Sequence, residues 1–143
     1  MKKYVIDANA LISFVTDRNL EQQKKITPFF DASAHLKSII LCHQHVLTEF
    51  VYVMDRIYQT PKTKIAQIVS DFIDMPGIEI IQEVNFNTVF TCWPTPISDF
   101  GDAVIASAAM VQKGSIIVTF DRKFTKCLKS LELDVYRFNE EKR

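Results

Sequence analysis

The chain has 143 residues, 48% hydrophobic and 24% charged, with 17 Lys+Arg balancing 17 Asp+Glu to a formal net charge of +0. That size predicts one domain, 1–143, able to bury a core without disulfides or structural metal, and the low counts of Gly (3) and Pro (5) exclude a collagenous or long disordered chain. A neutral total also excludes broad electrostatic coating of nucleic acid.

Tyr4-Val5-Ile6 is a short apolar run closed by Asp7, which predicts a buried central strand. Ala8 to Val15 has Leu11, Ile12 and Val15 at helical spacing. Leu20 to Ile26 begins a second helical stretch that Pro28 either interrupts or restarts, with Phe29, Phe30, Ala32, Ala34 and Leu36 as its buried face. Ser38 to Cys42 predicts the second strand. His45 to Tyr58 predicts a helix with Val46, Phe50, Val53, Met54 and Ile57 on the core side. After Pro61, Lys64 to Ile73 predicts a helix facing inward through Ile65, Ile68, Val69 and Phe72. Pro76-Gly77 breaks the pattern, and Ile78 to Ile81 is the third strand.

Phe86 to Trp93 reads as helix, and Pro94 to Pro96 as a rigid loop. Ser98 or Asp99 can cap a helix running to about Lys113, whose alanines permit close packing on a sheet and which Gly114 ends. Ser115 to Thr119 is the fourth strand, with Asp121 directly after it. Phe124 to Leu128 reads as a short helix and Val135 to Phe138 as a last edge strand. This alternation predicts an α/β layered domain with a mainly parallel sheet.

Cys42, Cys92 and Cys127 form no CxxC pair, and the Cys42-His43-x-His45 run matches no common zinc spacing. His35, His43 and His45 are read as surface or strand-end residues. No run of eighteen apolar residues exists, so no membrane span is expected. Asp7 interrupts the apolar stretch after Lys2 and Lys3, so this segment reads as a strand rather than a signal peptide, and a cytoplasmic location is expected.

Ligands of open α/β sheets bind beyond the carboxyl ends of the strands. Asp7, Glu49, Asp102 and Asp121 all fall at or near such ends, with Asp99 three residues from Asp102. Gathered carboxylates repel and lose solvation, and hard divalent cations with oxygen ligands relieve both costs. Each acid also has a plainer reading: helix cap, first-turn charge or surface stripe. Asn9 and Thr119 can hold carboxylates or water in place, or Asn9 can cap a helix. The neutral total hides a local pattern. Residues 71–121 hold one basic residue against seven acidic, whereas Arg122, Lys123, Lys126 and Lys129 follow directly. Those four are the candidate nucleic-acid contacts, or equally a solvated helix face.

The segments Val5-Ile6-Asp7-Ala8-Asn9-Ala10-Leu11-Ile12, Leu47-Thr48-Glu49-Phe50, Asp99-Phe100-Gly101-Asp102-Ala103-Val104-Ile105-Ala106 and Val118-Thr119-Phe120-Asp121-Arg122-Lys123-Phe124 together resemble the PIN-domain family of metal-dependent ribonucleases, most of all its VapC-type toxins. The resemblance implies a three-layer α/β/α sandwich. It implies that Asp7, Asp102 and Asp121, completed by Glu49, hold one or two Mg²⁺ or Mn²⁺ ions, with Asn9, Asp99 and Thr119 as auxiliaries. It further implies hydrolysis of RNA to 5′-phosphate and 3′-hydroxyl ends, a homodimer and a cognate antitoxin. Four rivals stay open: a stand-alone PIN-type nuclease without an antitoxin, another metal-dependent phosphoesterase, a non-catalytic protein-binding module, and a receiver-like signalling domain, for which no late lysine is evident.

Overall fold

The computed structural model describes residues 1–138. In chain order the elements are β1 (Lys2–Ile6), α1 (Ala8–Val15), α2 (Leu20–Ala34), β2 (Ser38–His43), α3 (Gln44–Arg56) and α4 (Lys62–Asp74). They continue with β3 (Ile78–Ile81), α5 (Phe86–Val89), α6 (Phe100–Val111), β4 (Ile116–Val118) and α7 (Arg122–Ser130). The strands form one sheet in the order β3-β2-β1-β4, and every neighbouring pair is parallel. Val5 of β1 pairs with Leu41 of β2 on one side and Ile117 of β4 on the other.

Adjacent residues of a strand point to opposite faces, yet Val5-Ile6, Ile40-Leu41-Cys42 and Ile117-Val118 are all buried. Both faces are therefore covered, as the three-layer α/β/α sandwich requires. From β1 the chain builds outward through β2 to β3, then crosses back to place β4 on the other side of β1. Strand order thus reverses between β1 and β4, and the carboxyl ends of those two strands flank the natural ligand crevice.

Several elements depart from the sequence expectation. Helix α2 runs unbroken through Pro28. The proline is exposed, so the carbonyl deprived of its partner faces water rather than the core. Leu36 is exposed instead of buried, because it closes α2 in the left-handed conformation, φ 58°. The accompanying Lys37 N–H to Ala32 O (2.8 Å) and Leu36 N–H to Ser33 O (2.9 Å) bonds form a Schellman turn. Ile57 lies beyond the end of α3 and is exposed, while Leu47 joins the core from the same helix. Helix α5 stops at Val89 rather than Trp93. Helix α7 begins at Arg122, two residues earlier than expected, because Asp121 caps it. The edge strand expected at Val135 to Phe138 reduces to one isolated bridge, Val135 to Ile117. Two backbone bonds tie it to β4, Ile117 N–H to Asp134 O (2.9 Å) and Tyr136 N–H to Ile117 O (2.8 Å).

Gly77 fixes the approach of β3 to α2. Its φ is +79°, and an added Cβ would lie 2.3 Å from the Ser33 carbonyl oxygen. Gly77→Ala therefore meets both a disfavoured backbone region and a backbone clash. The expected loss of stability is about 2–4 kcal/mol in urea unfolding, and a loss below about 0.5 kcal/mol would show that the contact yields freely.

Candidate active site

Three of the helices that begin at the carboxyl edge of the sheet start on an aspartate. Asp7, leaving β1, caps α1 by accepting the Ala10 N–H at 2.9 Å. Asp99 caps α6 by accepting the Asp102 N–H at 2.9 Å, which puts Asp102 in that helix's first turn. Asp121, just beyond β4, caps α7 through the Phe124 N–H at 3.0 Å. The capping role and a role in a shared site are thus compatible, since a cap oxygen has a second lone pair and the carboxylate a second oxygen.

Thr119 joins two of these elements. Its buried hydroxyl donates to Asp7 Oδ2, and its oxygen accepts the Asp121 N–H at 3.1 Å. This link between the ends of β1 and β4 lies at the reversal of strand order. Glu49 approaches from α3 and is half-buried.

The electrostatics reflect the crowding. Burial pushes the Asp7 carboxyl up to about 6, against the lowering effect of its bonds from Thr119 and Ala10, and the charges of Asp121 and Glu49 add to the rise. Burial, followed by the charges of Asp99, Asp121, Asp7 and Glu49, pushes Asp102 up to about 7. Glu49 is also raised by burial and by Asp99, with His45 opposing. Asp102 therefore lies within the field of all four other acids. Among the described residues no Lys or Arg pairs with any of them.

The structure does not draw three of these side chains close enough to enclose a single ion, and no other set of three His, Cys, Asp or Glu does so among the described residues. The donor set nonetheless fits a hard cation. It is all oxygen, no Lys or Arg among the described residues pairs with it, and Asp102 accepts no hydrogen bond from the described residues, so both its oxygens are free.

A pH dependence follows. A carboxyl with a folded pKa above its unfolded value gives the folded state extra bound protons between the two. Stability of the cation-free protein is therefore greatest at or below pH 4 on this account and falls as pH rises through about 6 for Asp7 and 7 for Asp102. For the buried Asp7 the loss amounts to about 3 kcal/mol. Mg²⁺ or Mn²⁺ should restore the melting temperature at pH 8 and have little effect at pH 5, because protons and cation compete. Equal shifts at both pH values would contradict this.

The remaining expected residues are placed as follows. Asn9 is exposed in the first turn of α1. Arg122, Lys123, Lys126 and Lys129 are all exposed on α7, whose Phe124 and Leu128 face the core. His35 is exposed at the end of α2, and His43 ends β2. His43 Nδ1 accepts the His45 N–H (2.9 Å), so the ring proton sits on Nε2 and donates to the Glu83 carbonyl (3.0 Å). Burial lowers the pKa of this ring and keeps it neutral.

His45, two residues past the end of β2, is part-exposed. Its Nε2 is buried without a hydrogen-bond partner, 3.7 Å from Glu49 Oε2. A Cβ on Gly101 would come within 2.3 Å of that nitrogen, so the glycine beside Asp102 makes room for the ring. The i, i+4 spacing of His45 and Glu49 was the available sequence signal. A surface cavity of about 620 Å³ lies elsewhere, lined by Glu83, Asn85, Val104, Ser107 and Val111, and includes none of the five acids.

The family model described as PIN domain matches residues 4–127. No curated protein matches the chain. Among solved structures, the chain is similar to VapBC2 from Rickettsia felis, bound to a DNA fragment from their promoter. There the TM-score is 0.70 at 17% identity, covering 94% of this chain and 97% of that one. A domain of a functionally unknown protein from Methanocaldococcus jannaschii DSM 2661 matches with a TM-score of 0.54 at 14% identity, covering 100% of this chain and 95% of that one. At such identities the likeness is one of fold.

Proposed function

The chain belongs to the PIN-domain family, and on that premise we propose that it is a divalent-cation-dependent endoribonuclease acting as the toxin of a toxin–antitoxin pair. The observation that carries this reading is the charge of Asp7, Glu49, Asp99 and Asp121 acting together on Asp102, with no Lys or Arg paired to any of the five among the described residues. The fold-level likeness to a VapBC complex supports the toxin role. A cytoplasmic, single-domain homodimer with a cognate antitoxin completes the proposal. Among the described residues no helix is long and apolar enough to cross a membrane.

In this reading Asp7, Asp102 and Asp121, with Glu49, hold Mg²⁺ or Mn²⁺. When bound, the cation supplies positive charge for the phosphoryl oxygens and lowers the pKa of a bound water. Thr119 keeps Asp7 and Asp121 in a fixed relation, and the capped ends of α1, α6 and α7 soften the repulsion among the acids. Asp102 contributes two oxygens free of hydrogen bonds, suited to a cation or to an attacking water. Arg122, Lys126 and Lys129 lie at 3–4 spacing and contact the RNA backbone beyond the acids, with Lys123 beside them.

The test is cleavage of structured and messenger RNA by purified protein in Mn²⁺ or Mg²⁺, against the same reaction in chelator. Cleavage only with the cation is expected. Cleavage in chelator, or none with either metal, would overturn the nuclease reading. Expression with and without the adjacent open reading frame tests the toxin role. Growth arrest relieved by the neighbour is expected, and no arrest would limit the protein to a stand-alone nuclease.

A further inference from the structure

The turn between α1 and α2 is held unusually firmly for an exposed segment. Thr16 Oγ1 donates to the Ile12 carbonyl (2.8 Å), and Gln23 Nε2 donates to the carbonyls of Phe14 and Thr16 (both 3.2 Å). Asn19 caps α2 by accepting the Gln22 N–H at 3.0 Å. Arg18 leaves this turn and reaches back along α1 towards the carboxyl edge of the sheet. Its Nε donates to Ser13 Oγ (3.3 Å), and its Nη2 donates to Ser13 Oγ (3.0 Å) and to the Asn9 carbonyl (3.1 Å). Ser13 is fully buried and donates onward to Gln22 Oε1 at 2.8 Å, so the network has an anchored root.

Two features of this arrangement point outward. All the acceptors are neutral, and among the described residues no carboxylate pairs with Arg18. Ordering a long side chain costs conformational entropy, and here no ion pair offsets it. In addition, the Nε and Nη2 hydrogens are engaged but Nη1 makes no hydrogen bond with the described residues, so this one amino group keeps its donors free on an exposed side chain. Its anchor Asn9 shares the first turn of α1 with the residues capped by Asp7. A cationic amino group held by the first turn of α1, the turn that Asp7 caps, suits an oxygen of a phosphate diester.

We propose that Arg18 is a substrate-positioning residue that grips a backbone phosphate of the RNA next to the scissile one, a role that rests on the nuclease reading above. The basic face of α7 follows β4 and Arg18 follows α1, so the two sources of positive charge come from different elements around the acids. RNA would be held by contacts from both rather than by a single basic patch.

The experiment measures binding of a short fluorescein-labelled single-stranded RNA to the Asp7→Asn protein across a salt series, followed by steady-state cleavage kinetics in the otherwise native chain. Arg18→Gln should weaken binding about five- to tenfold and reduce the slope of log affinity against log salt by about 0.7, the loss of one phosphate contact. In kinetics the penalty should fall mainly on KM. Arg56→Gln, removing an exposed arginine of α3 that lies beside Asp55, should change neither. Arg18→Lys should recover the salt slope but only part of the affinity, because an ammonium cannot make the several bonds to Ser13 and Asn9 that fix the guanidinium in place. Equal behaviour of Arg18→Gln and Arg56→Gln would overturn the proposal while leaving the nuclease reading intact. Full recovery by lysine would overturn the anchored guanidinium contact. Absence of both RNA binding and cation-dependent cleavage in the native protein would overturn the nuclease reading, and this inference with it.

Discussion

Asp102→Asn should abolish cation-dependent RNA cleavage, by about a thousandfold or more, while raising the melting temperature of the cation-free protein at pH 8. The two effects have one cause. Asp102 is pushed up to about 7 by burial and by four neighbouring carboxylates, so its ionised form is unfavourable in the folded chain. Its side chain accepts no hydrogen bond from the described residues, and asparagine removes the charge without breaking a local contact. What is lost is the oxygen pair available to a cation. Asp7→Asn should behave similarly with a smaller gain in stability, because Asp7 also accepts from Ala10 and Thr119. The amide oxygen can keep the Ala10 bond, but the amide nitrogen must reverse the Thr119 bond. Gel assays of cleavage and melting curves at pH 5 and pH 8 check both halves. The stabilisation should be large at pH 8 and small at pH 5, where the native carboxyls are already protonated. Undiminished cleavage by both variants would remove these acids from the site, and destabilisation at pH 8 would refute the electrostatic account.

The largest expected effect on folding comes from Phe30. This side chain is 1% exposed, stacks on Phe14 with centroids 3.8 Å apart, and lies 6.1 Å from Phe72 of α4. It therefore ties α2 to both α1 and α4. Phe30→Ala should cost about 3–5 kcal/mol, the sum of lost transfer energy and a cavity that rigid neighbours cannot close. Phe86→Ala, at a side chain 56% exposed, should cost less than about 0.5 kcal/mol. Urea unfolding of the two variants measures the contrast. Similar midpoints would mean that the α1–α2–α4 contact contributes little to global stability.

Much of the architecture was legible because it is local. An apolar run stopped by aspartate predicts both the end of a strand and the start of a helix, and the caps at Asp7, Asp99 and Asp121 are each made to an N–H three residues on. Features that misled the sequence reading depend on surroundings. Pro28 looked like a breaker, but its exposed position lets α2 continue. Leu36 and Ile57 carried the right hydrophobic spacing, yet both lie just past helix ends, where the periodicity no longer points inward. Val135 to Phe138 had strand-like residues but pairs with β4 through a single bridge.

The sequence alone determined the order of strands and helices, the family resemblance and the identity of the acids at the strand ends. All of these rest on short-range periodicity and capping chemistry. Only the tertiary structure decided that β1 and β4 lie side by side, so that Thr119 reaches Asp7 across 112 residues of chain. The same packing buries Asp7, sets His45 against Gly101 and leaves Arg18 Nη1 without a partner among the described residues. Burial and the sum of neighbouring charges depend on distances through space, which no local pattern in the chain specifies.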